Sequence, residues 1–179
     1  LNAISALIPD EAKPARRMIA RLGDLLRIAL EHEETQEVTL REELACLEPY
    51  LEIEQARLGD RLTVVMETPP ETLDARVPHL LLQPLVENAI RHGIAPRIEP
   101  GRVTISATRG LDDLLHLEVR DDGRGVDRDP RVRTRRGVGL TNIRSRLEQL
   151  YDGQHRFELE NDPEGGVVVR VALPFRRAE

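Results

Sequence analysis

Apolar residues recur every three to four positions near the start of the chain, at Ala15, Met18, Ile19, Leu22, Leu25, Leu26, Ala29 and Leu30. That spacing gathers them on one face of a helix with basic residues between. Pro9-Asp10-Glu11 reads as a turn before it, and residues 1–8 as the stub of an earlier helix, so the two form a truncated helical hairpin. Residues 31–37 are acidic and aperiodic and read as a linker. From Val38 onward the pattern changes. Leu40, Leu44, Leu47 and Leu51 predict a helix that Pro49 is expected to kink or split, because proline lacks a donor and crowds the preceding turn. Residues 61–67 read as a strand broken by Thr68-Pro69-Pro70, and residues 79–92 as a strongly apolar helix with Gly93 as its left-handed cap. Residues 102–108 and 114–120 alternate as half-buried strands do. An amphipathic helix is predicted over 140–151, then strands over 157–160 and 167–173 around a turn of Asn, Asp, Pro and Gly. Strands and helices intermix without regular βαβ alternation. The expected fold class is therefore α/β, a two-layer sandwich of one mixed sheet with its helices on a single face. The expected division is hairpin and linker at 1–35 and the α/β domain at 36–179.

Composition narrows the picture. At 179 residues, one main domain and an appendage is the expected size. Hydrophobic residues make up 40% but aromatics only 2%, so Leu, Val and Ile must fill the core. A net charge of −6 argues against a nucleic-acid surface. The single cysteine, Cys46, excludes an internal disulfide and suits a reducing compartment. No apolar run approaches the ~18 residues that span a bilayer, and no signal peptide opens the chain. The expectation is a cytoplasmic segment, and the start at Leu1 in helical sequence reads as a fragment of something longer.

Three short stretches carry the candidate chemistry: Glu87-Asn88-Ala89-Ile90-Arg91-His92-Gly93, Asp121-Asp122-Gly123-Arg124-Gly125 and Gly137-Val138-Gly139-Leu140-Thr141-Asn142. The first places an amide, a guanidinium and an imidazole on neighbouring turns. The amide oxygen of Asn88 suits a hard cation such as Mg²⁺ without adding negative charge beside a nucleotide; the alternative is a polar residue on the solvent face. Arg91 and His92 share roughly its face and either contact phosphate or favour the helix C-terminus as cations. Asp121 follows a strand and precedes spaced glycines; its carboxylate can accept from the exocyclic amine of adenine, or it closes an Asp-Gly turn. The third stretch is a glycine-rich start to a helix, where free N–H groups favour phosphate. Between the glycine motifs, residues 124–136 carry Arg128, Arg131, Arg133, Arg135 and Arg136 with almost no hydrophobes, and read as a lid or a solvated basic loop. The three stretches together describe a site for a nucleotide and its metal.

The run from Pro78 through Gln83-Pro84-Leu85-Val86-Glu87-Asn88 to Gly93 resembles the N box of bacterial sensor histidine kinases of the LytS/YehU type. Residues 121–125 resemble their G1 box and 137–142 their G2 box. Leu26-Arg27, Glu42-Glu43-Leu44, Tyr50-Leu51-Glu52-Ile53-Glu54 and Arg57 resemble the stretch that precedes the ATP domain in this family. The resemblance covers nearly the whole chain. It implies the Bergerat (GHKL) ATP-binding fold shared with gyrase, Hsp90 and MutL. It also implies Mg²⁺ at Asn88 and adenine at Asp121. ATP contacts are expected at Arg91, His92, Gly123, Gly125, Gly137, Gly139, Leu140 and Asn142.

Two departures qualify what is implied. The family's phosphoacceptor lies in a Pro-His-Phe-Leu-Phe-Asn motif just before a segment like Leu1-Asn2-Ala3-Ile4, so the acceptor is expected upstream and the fragment alone is expected not to autophosphorylate. Hydrolysing members of the fold place a glutamate four residues before the metal asparagine, and Pro84 stands there. Glu87 is the one nearby carboxylate, and an adjacent helical residue points about 100° away. His32, beside Glu33, is an alternative acceptor, although it ends its helix. The implied function is phosphoryl transfer from ATP to a histidine and on to a response-regulator receiver domain. A homodimer is expected through the stripe of Met18, Ile19, Leu22, Leu25, Leu26 and Leu30, with membrane attachment only through a missing N-terminal portion of the parent. The alternatives are an ATPase of the same fold driving a conformational cycle, and a non-catalytic module that keeps the pocket.

Overall fold

The computed structural model describes residues 36–125 and 137–178. The hairpin, most of the linker and the Arg-rich stretch from 126 to 136 lie outside the described residues, as does the apolar stripe expected to dimerise. A short strand β1 (Glu37–Thr39) leads into helix α1 (Leu40–Leu58). Thr39 starts that helix with a capping box: its hydroxyl accepts from the Glu42 amide, and the Glu42 carboxylate accepts from the Thr39 amide at 2.8 Å. Of the kink or split expected at Pro49, the split does not occur: α1 runs through it unbroken. The carbonyl it leaves without a helical partner belongs to Ala45, an exposed residue.

After α1 come β2 (Leu62–Glu67), β3 (Arg76–Pro78) and α2 (Leu82–Asn88), which widens into a π-helical turn over Ala89–Ile94. Strands β4 (Gly101–Arg109) and β5 (Leu114–Asp121) follow, then α3 (Gly137–Tyr151), β6 (Arg156–Asn161) and β7 (Val167–Pro174). The main sheet has the order β2-β4-β5-β7-β6, with β2 and β4 parallel and every other pair antiparallel. β1 and β3 pair apart from it as a two-stranded sheet. The tail runs alongside β3, through an Ala75–Arg177 bridge and a bond from the Arg76 amide to the Arg176 carbonyl. Neither β1 nor β3 was predicted; at three residues each, they are too short to show alternation.

The side-chain period of two sorts the main sheet into two faces. Inward, register aligns Ile105, Val119, Val169 and Leu159 across β4, β5, β7 and β6, with Ala107, Leu117, Val171 and Phe157 in the next row. These rows meet Leu47 and Leu51 of α1, Leu82, Leu85, Val86 and Ile90 of α2, and Ile143 and Leu147 of α3 in one core. Outward, Arg170 pairs with Glu118 at 2.9 Å and with Glu160, as a solvated face does. The two-layer sandwich with a mixed sheet is as expected.

Candidate functional site

The inner face of β5 runs Leu115, Leu117, Val119, Asp121, all buried. Alternation alone thus carries a carboxylate to the end of an apolar column, where it is 3% exposed. Its Oδ1 accepts from the Gly123 amide at 2.9 Å. The surroundings are built without side chains. A Cβ on Gly93 would fall 2.3 Å from Asp121 Oδ1, one on Gly123 would fall 2.4 Å from the Gly93 Cα, and one on Gly166 would fall 1.9 Å from the Asp121 carbonyl oxygen. Bare backbone from α2, the loop after β5 and the turn before β7 therefore converges on one buried acid.

Gly93 is not the left-handed cap expected of it. It lies inside the π-turn, is absent from the positive-φ positions, and the helix runs on to Ile94. Its smallness serves the approach to Asp121 and Gly123. The loop after β5 is braced from below: the Asp122 carboxylate accepts from the Arg102 amide at 2.8 Å, and Arg97 donates to the Asp122 carbonyl at 2.6 Å. From the far side, Arg120 holds Asp162 at 2.5 Å and Glu164 at 2.6 Å in the β6–β7 turn.

An open cleft lies over Asp121. Leu85, Val119, Leu140, Leu159, Val167 and Val169 make its apolar walls; Asn88, His92, Asp121, Gly93 and Gly125 also line it. Such a slot suits a flat, largely apolar ring with a hydrogen-bonding edge. Asn88 stands at one side, its Nδ2 donating to the Pro84 carbonyl at 2.7 Å. That bond engages one of the two Nδ2 hydrogens and leaves Oδ1, the atom able to ligate a cation, outside it. Among the described residues, no three His, Cys, Asp or Glu side chains converge to hold a metal. A cation at Asn88 would draw its remaining ligands from a bound nucleotide and water, which the single neutral oxygen fits.

Several expected residues stand apart from the cleft. Arg91 is largely exposed, 3.9 Å from Glu87, itself half exposed, and lines no part of it. Asn142 is exposed on α3. Gly137 opens that helix, and a Cβ on Gly139 would touch Pro84 at 3.9 Å. Gly166 was not foreseen: it sits in what reads as an ordinary turn, and only the β5–β7 register brings it to Asp121.

Sequence reasoning also missed the buried acid behind α2. Glu43, on α1, is 1% exposed; its Oε2 accepts from the Leu80 amide and its Oε1 from the Leu82 amide, both at 2.8 Å. Leu80 holds φ at 55°, a left-handed conformation that costs a leucine roughly 1–2 kcal/mol. No side chain of α2 itself caps the helix, so Glu43 supplies the cap from outside. Burial pushes its carboxyl above the usual range, while the backbone donors and Arg146 pull the other way. Arg146 of α3 donates to the carbonyl of His79, whose ring Nδ1 lies 3.8 Å from Glu43. A signal was present: Leu40, Glu43, Leu47, Leu51, Glu54 and Leu58 follow one helical stripe, with acids at two apolar positions.

Comparison with known proteins agrees with this geometry. A family described as histidine kinase matches residues 1–62. The family described as histidine kinase-, DNA gyrase B-, and HSP90-like ATPase matches residues 73–177. The sensor histidine kinase YpdA of Escherichia coli is 39% identical over 186 residues, covering 99% of this chain and 32% of its own length. The sensor protein LytS of Enterococcus faecalis is 29% identical over 188 residues, covering 100% of the chain and 32% of its own length. The chain thus spans about a third of these relatives. Among solved structures, the histidine kinase domain of an Erythrobacter litoralis blue-light activated histidine kinase superposes with a TM-score of 0.60 at 18% identity, over 88% of this chain and 75% of that one. The catalytic domain of histidine kinase ThkA, nucleotide free, gives 0.61 at 20% identity, over 78% and 96%. At such identities the superpositions establish the fold. The match over 73–177, more than half the chain, establishes the family: this chain belongs to the histidine kinase-, DNA gyrase B-, and HSP90-like ATPases, preceded by a histidine kinase segment.

Proposed function

We propose that this chain is the ATP-binding catalytic portion of a two-component sensor histidine kinase. In this reading residues 1–35 belong to a dimerisation hairpin and residues 36–179 form the catalytic domain. The observation that carries the nucleotide site is the buried Asp121 at the floor of an apolar slot, approached by Gly93 and Gly123 too closely to admit a Cβ on either. Adenine lies between Leu85, Leu140 and Val169, its exocyclic amine donating to Asp121. Guanine would present a carbonyl there and be repelled.

Mg²⁺ fits Asn88 as argued above, and when bound it neutralises phosphate charge. His92 lines the cleft and suits the phosphates by charge, and the first turn of α3, which begins at Gly137 and Gly139 and leads to Leu140 of the cleft wall, suits them by free N–H groups. Arg91 reaches phosphate only by leaving Glu87. In the transfer, a ring nitrogen of an acceptor histidine upstream of residue 1 forms a bond to the γ-phosphorus, and the bond to the bridging oxygen of ADP breaks. The phosphoryl group then passes to an aspartate of a response-regulator receiver domain. Positioning and charge neutralisation supply most of the catalysis in such transfers. Pro84 where hydrolysing relatives carry glutamate disfavours an ATPase that activates water, since proline transfers no proton.

No described helix is long and apolar enough to cross a membrane. The parent is proposed to be a membrane-anchored homodimer whose anchor precedes this chain, with this portion in the cytoplasm. The test is phosphorylation of the longer parent protein with γ-labelled ATP. Acid-labile label on the upstream histidine, chased onto a receiver domain, supports the reading. Release of free phosphate with no protein label would replace it with a hydrolase.

A further inference from the structure

Glu43 lies in the stretch matched as histidine kinase, whereas the groups it binds, the amides of Leu80 and Leu82, lie in the stretch matched as ATPase. One carboxylate therefore fastens the start of the helix that carries Asn88 to a helix that precedes the stretch matched as ATPase. The fastening is demanding. Both oxygens are used, the group is buried, and Leu80 is held in a conformation that leucine avoids. Arg146 closes the arrangement from α3, whose first turns bring Gly139 against Pro84 and Leu140 into the cleft. Asp121, by contrast, is placed by the sheet, and α2 reaches it only through Gly93, at the end of the helix away from Leu80 and Leu82.

We propose that Glu43 is a positioning residue for the nucleotide site: it sets the start of α2 so that the Asn88 amide oxygen meets the cation of bound ATP, while Asp121, carried by β5 and touched by the helix only at Gly93, is affected less. The inference rests on the nucleotide reading and deepens it. It makes metal-dependent and metal-independent binding separable by a residue that touches neither ligand.

The experiment is calorimetric titration of the full chain with ATP in excess Mg²⁺ and with ATP in a chelator, for wild type, Glu43→Gln, Glu43→Asp and Asn88→Ala. Glu43→Gln keeps the shape and one acceptor but turns an NH₂ toward a backbone N–H. It is expected to leave chelator affinity within about twofold and to reduce the gain from Mg²⁺ by about tenfold, the change for one lost charge-assisted hydrogen bond. Glu43→Asp keeps the charge but draws it back from Leu80 and Leu82, and is expected to fall between. A Mg²⁺ gain equal to wild type in Glu43→Gln, even with a lower melting temperature, overturns the proposal and leaves Glu43 a structural cap. If Asn88→Ala loses the gain while both Glu43 variants keep it, Glu43 alone is misassigned. If wild type binds ATP with no gain from Mg²⁺, the cation role of Asn88 falls and this proposal with it; if wild type binds no ATP at all, the nucleotide reading itself falls.

Discussion

Asp121 is fixed by contacts that tolerate little change: a glycine amide on Oδ1, a second glycine within contact of the carboxylate, and a third against its carbonyl. Removing the carboxylate strands whatever donor it meets in the ligand. Asp121→Ala is therefore expected to weaken ATP binding by roughly 1–3 kcal/mol and to narrow the preference over GTP. Calorimetry with both nucleotides checks this; equal ATP and GTP affinity in wild type would remove Asp121 from adenine recognition. Asn88→Ala is expected to leave metal-free ADP binding nearly unchanged and to weaken binding with Mg²⁺, because the amide is proposed to touch only the cation. At this scale much was legible. Asn88, His92, Asp121, Gly125 and Leu140 were named from motif chemistry, and the fold brings them to one cleft. Arg91 and Asn142 carry the same chemistry but sit on exposed helix faces. Gly166 and Glu43 were hidden because each acts on residues far along the chain, across a strand pair or a helix contact.

At the scale of elements, α2 and its π-turn are the part most sensitive to a single atom. The π-turn widens the helix where it passes over β5, and Gly93 meets Asp121 there without room for a Cβ. Gly93→Ala places a methyl where Asp121 Oδ1 already sits. It is expected to cost about 1–3 kcal/mol of stability, as overpacking does, and to abolish nucleotide binding by displacing the carboxylate. Thermal unfolding followed with and without ATP checks both effects; an alanine variant that still gains stability from ATP would show that the helix can shift and the site reform. The sequence marks α2 clearly through its leucines, yet it conceals the π-turn, since widening leaves the residue pattern unaltered. Pro49 suggested a kink or a split, and the split does not occur. A proline forbids one hydrogen bond, and a long packed helix continues through that single loss where the residue four before it, Ala45, is exposed.

Over the whole molecule, the short sheet and the end of α3 tie the chain's entrance to its exit. Tyr151, the last residue of α3, is buried and donates to Glu37 of β1 at 2.6 Å, with the Arg176 guanidinium of the tail 5.5 Å from its ring. Burial, then the Glu37 carboxylate, pushes the Tyr151 phenol well above its ordinary value of 10.0. Tyr50, on α1, is raised first by burial and then by Glu54 and Glu87. These are the two tyrosines of the chain, so its tyrosinate absorbance reports on them alone. The folded protein holds both phenolic protons to higher pH than the unfolded chain, whose tyrosines ionise near 10. Their contribution is therefore complete below about pH 10 and is lost as pH rises past it. Tyrosinate absorbance is expected to stay flat near pH 10 and then rise together with loss of the helical circular-dichroism signal. Tyr151→Phe is expected to lower stability at neutral pH by about 1 kcal/mol, the net worth of one hydrogen bond, and to make the alkaline loss shallower. A smooth titration near pH 10 with the helical signal intact would mean that both phenols meet solvent in the folded state, and that the tie between β1 and α3 does not hold in solution.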